Sequence, residues 1–108
     1  MEYGLPDSAV AKIRAALARF PQVEKAILYG SRAKGSFKTG SDIDLTLCGK
    51  ELNPDLRADI ASELDDLLLP YTIDLSLFAE LKHPGLLDHI RRVGVLLYQR
   101  NPVTTEKG

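Results

Sequence analysis

Apolar residues recur at helical spacing from Asp7 to Phe20, where Val10, Ile13, Leu17 and Phe20 share one side behind a capping Asp7 or Ser8. Pro21 ends the run, so an amphipathic helix is predicted there. The period then changes. "EKAILYG" (24–30) is a short apolar run that stops at a glycine, and "SDIDLTLC" (41–48) alternates between polar and apolar, so both read as strands. Asn53 and Pro54 have the character of a helix start. The helix they open carries Leu56, Ile60, Leu64, Leu67 and Leu68 on one side and stops before Pro70. "YTIDLSLF" (71–78) is a third alternating strand, "PGLLDHIRRVG" (84–94) a short helix begun by Pro84, and "VLLYQ" (95–99) a final extended segment before the frayed end "NPVTTEKG". The order α-β-β-α-β-α-β predicts an α/β (α+β) fold, a small mixed sheet with helices packed on one face.

A chain of 108 residues makes about one small domain. With no internal repeat and no low-complexity linker, 1–108 reads as a single domain with its core at about 8–98 and a flexible C-terminal tail. Hydrophobic residues at 44% and charged residues at 27% are those of a globular protein, and no apolar run approaches the roughly 20 residues of a membrane span. No membrane association is expected. The start "MEYGLPDSAV" lacks the basic and apolar regions of a secretory signal, and the single Cys48 excludes an intrachain disulfide, so a reducing cytoplasm is the expected compartment. A formal charge of −1 offers no general attraction to nucleic acid phosphates.

The candidate chemistry lies between residues 28 and 47, in "LYGSRAKGSFKTGSDIDLTL". Strand alternation sends Ile43, Leu45 and Leu47 to one face and Asp42, Asp44, Thr46 and Cys48 to the other. The third strand repeats this: Ile73, Leu75 and Leu77 face inward, and Thr72, Asp74 and Ser76 face away. If the two strands are neighbours, three aspartates converge. Carboxylates at i and i+2 stand roughly 6.5–7 Å apart at the backbone, close enough to share one or two hard cations. Mg²⁺ suits such oxygen ligands and commonly completes its shell with substrate phosphates. Asp74 would then be a third ligand or the base that takes the nucleophile's proton. Asp-x-Asp alone is more often a solvated strand face or an Asx turn. Its conjunction with a Gly-Ser turn and a basic loop carries the argument. Gly30 allows a sharp turn and close approach of a phosphate, and Ser31 adds a hydroxyl and an amide donor. Arg32, Lys34 and Lys38 can neutralise phosphate charge, although each taken singly reads first as solvated surface. Gly30 and Gly35 have P-loop spacing, but Ser36 and Phe37 stand where that motif needs Lys and Ser/Thr, and no dinucleotide G-x-G-x-x-G is present.

With "GSRAKG", "GSDIDLTL" and the later "IDLSL" in this order, the sequence resembles the nucleotidyltransferase superfamily that includes DNA polymerase beta, and most of all its minimal nucleotidyltransferases (MNT). The resemblance covers about residues 8–98. It implies a polymerase-beta-like palm fold in which Gly30 and Ser31, with Arg32 and Ser41, bind the nucleotide. Asp42 and Asp44 would hold Mg²⁺, as one ion or two, and Asp74 would supply the third carboxylate. ATP is the implied substrate. Larger members carry further domains that grip the acceptor, whereas minimal members are commonly paired with a small helical HEPN protein. The resemblance therefore implies the antitoxin of a toxin-antitoxin pair, working in a hetero-oligomer and moving AMP from ATP to a tyrosine hydroxyl of the HEPN ribonuclease. Nucleic acid is not expected as a direct ligand. Two alternatives stay open: a nucleotide-binding antitoxin that acts by occlusion, and a transferase for RNA or a small molecule.

The remaining reactive residues have plainer readings. Cys48 reads as a packed thiol. His83 precedes a helix and His89 sits within it; neither has a partner at zinc spacing, so surface or capping roles are expected. Arg91 and Arg92 complement the dipole at a helix end, "ELDDLL" is a solvated acidic face over leucines, and Tyr29 and Tyr98 are core or rim aromatics.

Overall fold

The computed structural model describes residues 3–36 and 41–100, so Lys38 and the C-terminal tail lie outside the described residues. Its elements are α1 (Asp7–Ala18), β1 (Lys25–Tyr29), α2 (Ser31–Lys34), β2 (Ile43–Cys48), α3 (Pro54–Asp65), β3 (Ile73–Leu77), α4 (Pro84–Val93) and β4 (Val95–Gln99). A single 3₁₀ turn at Phe78–Glu80 follows β3. The strands form one sheet in the order β3-β2-β1-β4. β1 runs antiparallel to both β2 and β4, while β2 and β3 are parallel. A parallel pair needs a crossover of about a dozen residues or more, and α3 supplies it.

The alternation read from the sequence fixes the faces of the sheet. Ala26, Leu28, Ile43, Leu45, Leu47, Leu75 and Leu77 are buried in one core with Ile13 and Leu17 of α1 and Ile60 and Leu64 of α3. Each such leucine or isoleucine contributes about 1.5–3 kcal/mol when fully buried. This face is why the strands pair in the register they do. α4 lies instead against the other side of β1: a Cβ placed on Gly94, at its end, would meet the Ile27 side chain, and His89 reaches the residue after β1. The sheet therefore carries α1 and α3 on one face and is partly covered by α4 on the other.

Local starts and stops follow from side-chain chemistry. Asn53 Oδ1 accepts the Leu56 N–H at 2.8 Å with Pro54 in the first turn, and His83 Nδ1 accepts the Leu86 N–H at 3.2 Å ahead of Pro84. His83 thus has the capping role expected of it. α1 opens differently: Pro6, at φ −61° and ψ 149°, is the cap residue, and Asp7 stands in the first turn, where an acidic group complements the helix dipole. Leu68 departs from the apolar stripe assigned to it. α3 ends at Asp65, and the chain turns with Leu67 and Leu68 donating to the Leu64 and Asp65 carbonyls. Leu68 takes φ 56° and is left 87% exposed. Among the described residues, no helix is long and apolar enough to cross a membrane.

Candidate active site

β1 ends at Tyr29, and Gly30 turns the chain at φ 79° and ψ −156°, a conformation that residues with a Cβ rarely adopt. Gly30 is packed directly against Asp44: a Cβ at this position would overlap Asp44 Oδ2. Ser31 then opens the short helix α2, which closes at Gly35 in a left-handed conformation, φ 81°.

Across the sheet, Tyr29 pairs with Asp44 in the antiparallel ladder, and Asp44 pairs with Asp74 in the parallel one. Directly paired residues share a face, so Tyr29, Asp44 and Asp74 stand in one row beside the glycine turn. Asp42 and Asp74 are exposed and Asp44 is half-buried. Burial pushes the Asp44 carboxyl above its usual range, and the Asp74 and Asp42 charges push it further, with His89 acting the other way. Tyr29 is buried, and its phenol is raised by that burial, lowered by a hydrogen bond with Ser76, and raised again by Asp44 and Asp74. Burial likewise pushes the Cys48 thiol up, which suits a packed thiol and not a nucleophile.

The turn and the carboxylates fit a hard cation and a phosphate chain. An acidic site whose central member resists ionisation because of burial and like charges gains from a cation, which sets an opposite charge beside it. No three side chains of the Asp, Glu, His or Cys type gather into a ready-made metal cage among the described residues. A shell built from Asp42, Asp44 and Asp74 would need the oxygens of a bound nucleotide to close it, as Mg²⁺ sites commonly do.

Two residues occupy positions that the sequence did not indicate. Arg32, expected on the nucleotide, is 2% exposed. Its Nε and Nη2 donate to the Ser41 carbonyl at 3.1 and 2.8 Å, its Nη1 donates to the Tyr3 carbonyl at 3.0 Å, and the guanidinium lies over the Tyr71 ring at 5.0 Å from the centroid. It ties the start of β2 and the approach to β3 to the helix after the glycine turn. Ser41, also expected on the nucleotide, uses its carbonyl in this tie. His89, expected at the surface or as a cap, is half-buried in the site and accepts the Gly30 N–H on Nε2 at 3.0 Å. The signal was in the helix pattern: Leu86, His89, Ile90 and Val93 form an i, i+3, i+4, i+7 stripe, so His89 stands on the face of α4 turned to the protein. Lys34 is exposed at the end of α2.

Paired carboxylates on a mixed sheet beside a glycine-serine turn define a domain of the nucleotide-transfer class. The polymerase beta nucleotidyltransferase family model matches residues 11–103, and the chain belongs to this family as a nucleotidyltransferase domain. No curated protein matches it. Among solved structures it is similar to a toxin-antitoxin crystallised with AMP-PNP, at 22% identity and TM-score 0.66, over 88% of this chain and 74% of that one. It is also similar to a Shewanella oneidensis complex of tri-AMPylated HEPN toxin with MNT antitoxin, at 21% identity and TM-score 0.64, over 85% and 71%. A nucleotidyltransferase structure from Sulfolobus solfataricus aligns at 26% identity and TM-score 0.53, over 90% and 92%.

Proposed function

We propose that the protein transfers AMP from ATP to a hydroxyl of a helical HEPN-type partner, a tyrosine hydroxyl by its chemistry, and so acts as the antitoxin of a two-protein pair. The observation that carries the reading is the register of β2 and β3, which places Asp44 beside Asp74 and next to the Gly30-Ser31 turn. The neighbours that contain an AMP-PNP ligand or an AMPylated HEPN toxin support the choice of nucleotide and acceptor.

In this reading the Ser31 hydroxyl and amide hold the phosphate end of ATP, and Gly30 lets that end approach the backbone. The acceptor oxygen attacks the α-phosphorus, a new P–O bond forms, and the bond to pyrophosphate breaks. Asp74, the more exposed of the paired carboxylates, takes the proton that the hydroxyl loses. Asp42, Asp44 and Asp74 would hold Mg²⁺, which when bound supplies positive charge against the negative charge developing on the phosphoryl oxygens. Asp44, acted on by the charges of both other carboxylates, would gain most from that positive charge.

Intact-mass spectrometry of the purified partner, after incubation with the protein, ATP and Mg²⁺, tests this. One or more AMP-sized gains with the native chain and none with Asp42→Asn are expected. A tight complex that neutralises the partner without any mass gain would overturn transfer in favour of occlusion.

A further inference from the structure

The turn that begins the nucleotide site is held from outside its own loop. The Gly30 N–H is engaged by His89, which arrives 59 residues later on α4 and accepts on Nε2 at 3.0 Å. The bond uses the Nε2 lone pair as its acceptor. The ring is fixed on a second side by Tyr29, which it meets edge-on with centroids 6.3 Å apart and planes at 78°. Tyr29 in turn is the cross-strand partner of Asp44. One half-buried side chain thus touches the last residue of β1 and the first residue of the turn, and the turn is in contact with Asp44.

A turn at φ 79° has no side chain of its own with which to hold its shape, and glycine loses the most conformational freedom on being fixed. The Gly30 carbonyl is held by the Lys34 N–H at 3.1 Å within α2, and the Gly30 N–H by His89, so the bond to α4 is the one that anchors the turn to a separate element before a ligand arrives. It also divides the labour of the turn. With the Gly30 N–H given to His89, anion recognition falls to Ser31, whose N–H and hydroxyl follow directly. Pre-ordering matters here because placing Ser31 wrongly also moves the backbone away from Asp44.

We infer that His89 is a positioning residue for nucleotide binding: it holds the Gly30 amide and thereby sets the Gly30-Ser31 turn against Asp44. The inference rests on the nucleotide-transfer reading of the site. Two substitutions separate the hydrogen bond from the packing of the ring. His89→Gln returns an amide oxygen at about the reach of Nε2, and His89→Phe keeps a ring against Tyr29 but offers no acceptor.

Binding of a non-hydrolysable ATP analogue with Mg²⁺ is measured by calorimetry for the native chain and both variants, alongside their melting temperatures. In the native chain a through-hydrogen-bond ¹⁵N–¹⁵N coupling between Gly30 and His89 Nε2 is expected. Phe should weaken analogue binding about tenfold and Gln less than threefold, the difference being about that of one ordered hydrogen bond. If the Phe variant does not fold, His89→Asn, whose amide stops short of Gly30, takes its place with the same expectation. Equal binding by the Phe and native chains, equal losses in Phe and Gln, or absence of the coupling would overturn the inference. The proposed activity fails separately. A native chain that binds the analogue but transfers nothing refutes AMP transfer and leaves His89 to be judged by binding, whereas one that binds no analogue refutes both.

Discussion

Gly30→Ala puts the geometry of the turn to its sharpest test. The backbone there, at φ 79° and ψ −156°, lies in a region used almost solely by glycine, and holding alanine in it costs of the order of 1–3 kcal/mol. The added Cβ also meets Asp44 Oδ2, the outer atom of a side chain that can rotate away. The overlap is therefore relieved at small cost in stability and large cost in function, because the carboxylate that rotates is the one between Asp42 and Asp74. For a chain of 108 residues each kcal/mol is worth about 4 °C of melting temperature, so calorimetry should show a fall of roughly 4–12 °C. AMP transfer should fall by about 100-fold or more, the usual cost of a misplacement near 1 Å in a reacting site. A cycle with Asp44→Ala divides the two effects. In that background Gly30→Ala should keep the backbone part of its melting loss, since no carboxylate remains to be displaced. A Gly30→Ala chain that melts with the native one and transfers at the native rate would refute both the strain and the contact.

Asp44→Asn should raise the melting temperature of the nucleotide-free chain at neutral pH while abolishing transfer, because the folded state holds this carboxyl above its ordinary value. The sign follows from the raised value: ionised Asp44 destabilises the fold above its folded pKa, and the penalty is relieved as pH falls through that value toward the ordinary one of about 4, so the gain from Asn should shrink over that window in a pH series of thermal melts. Arg32→Ala, which withdraws three donors from the Ser41 and Tyr3 carbonyls and a cation from Tyr71, should cost about 3 kcal/mol in urea denaturation. Arg32→Lys should recover little of it, since an ammonium cannot span both carbonyls, and an unchanged midpoint in either variant would count against the tie.

The sequence announced its strands clearly because one face of the sheet is buried. Ile43, Leu45, Leu47, Leu75 and Leu77 alternate with polar residues, and that alternation indicates which face of its strand each aspartate takes, while the adjacency that brings Asp44 to Asp74 comes from the fold. What the pattern could not carry was the direction of β3 relative to β2, which depends on the crossover through α3, or the side of the sheet on which α4 would lie. The contacts of Arg32 are illegible in the sequence for a related reason. A basic residue in a loop next to a phosphate motif reads as a phosphate contact, and only the fold brings the Ser41 and Tyr3 carbonyls and the Tyr71 ring around it. A histidine without a metal partner in sequence reads as a surface or capping residue, whereas the place of His89 in the Leu86-Ile90-Val93 stripe is the signal that it faces inward. α3 ends earlier than the apolar pattern predicts, because Leu67 and Leu68 continue the apolar character beyond the point where the helix stops.

The same register that stabilises the domain also enforces its electrostatic discomfort. In the parallel ladder Leu45 pairs with Leu75 and Leu47 with Leu77 on the buried face, and Asp44 pairs with Asp74 on the other. A slip of one residue would part the carboxylates only by turning the leucines of β3 out of the core. The two buried leucines of β3, at about 1.5–3 kcal/mol each, outweigh the repulsion between two partly solvated carboxylates, which is of the order of 1 kcal/mol in a watery surrounding. The apolar face therefore holds the acidic face together without any cation. The backbone positions that carry Asp44 and Asp74 cannot separate without exposing the apolar face, so any relief of the repulsion must come from rotation of the side chains.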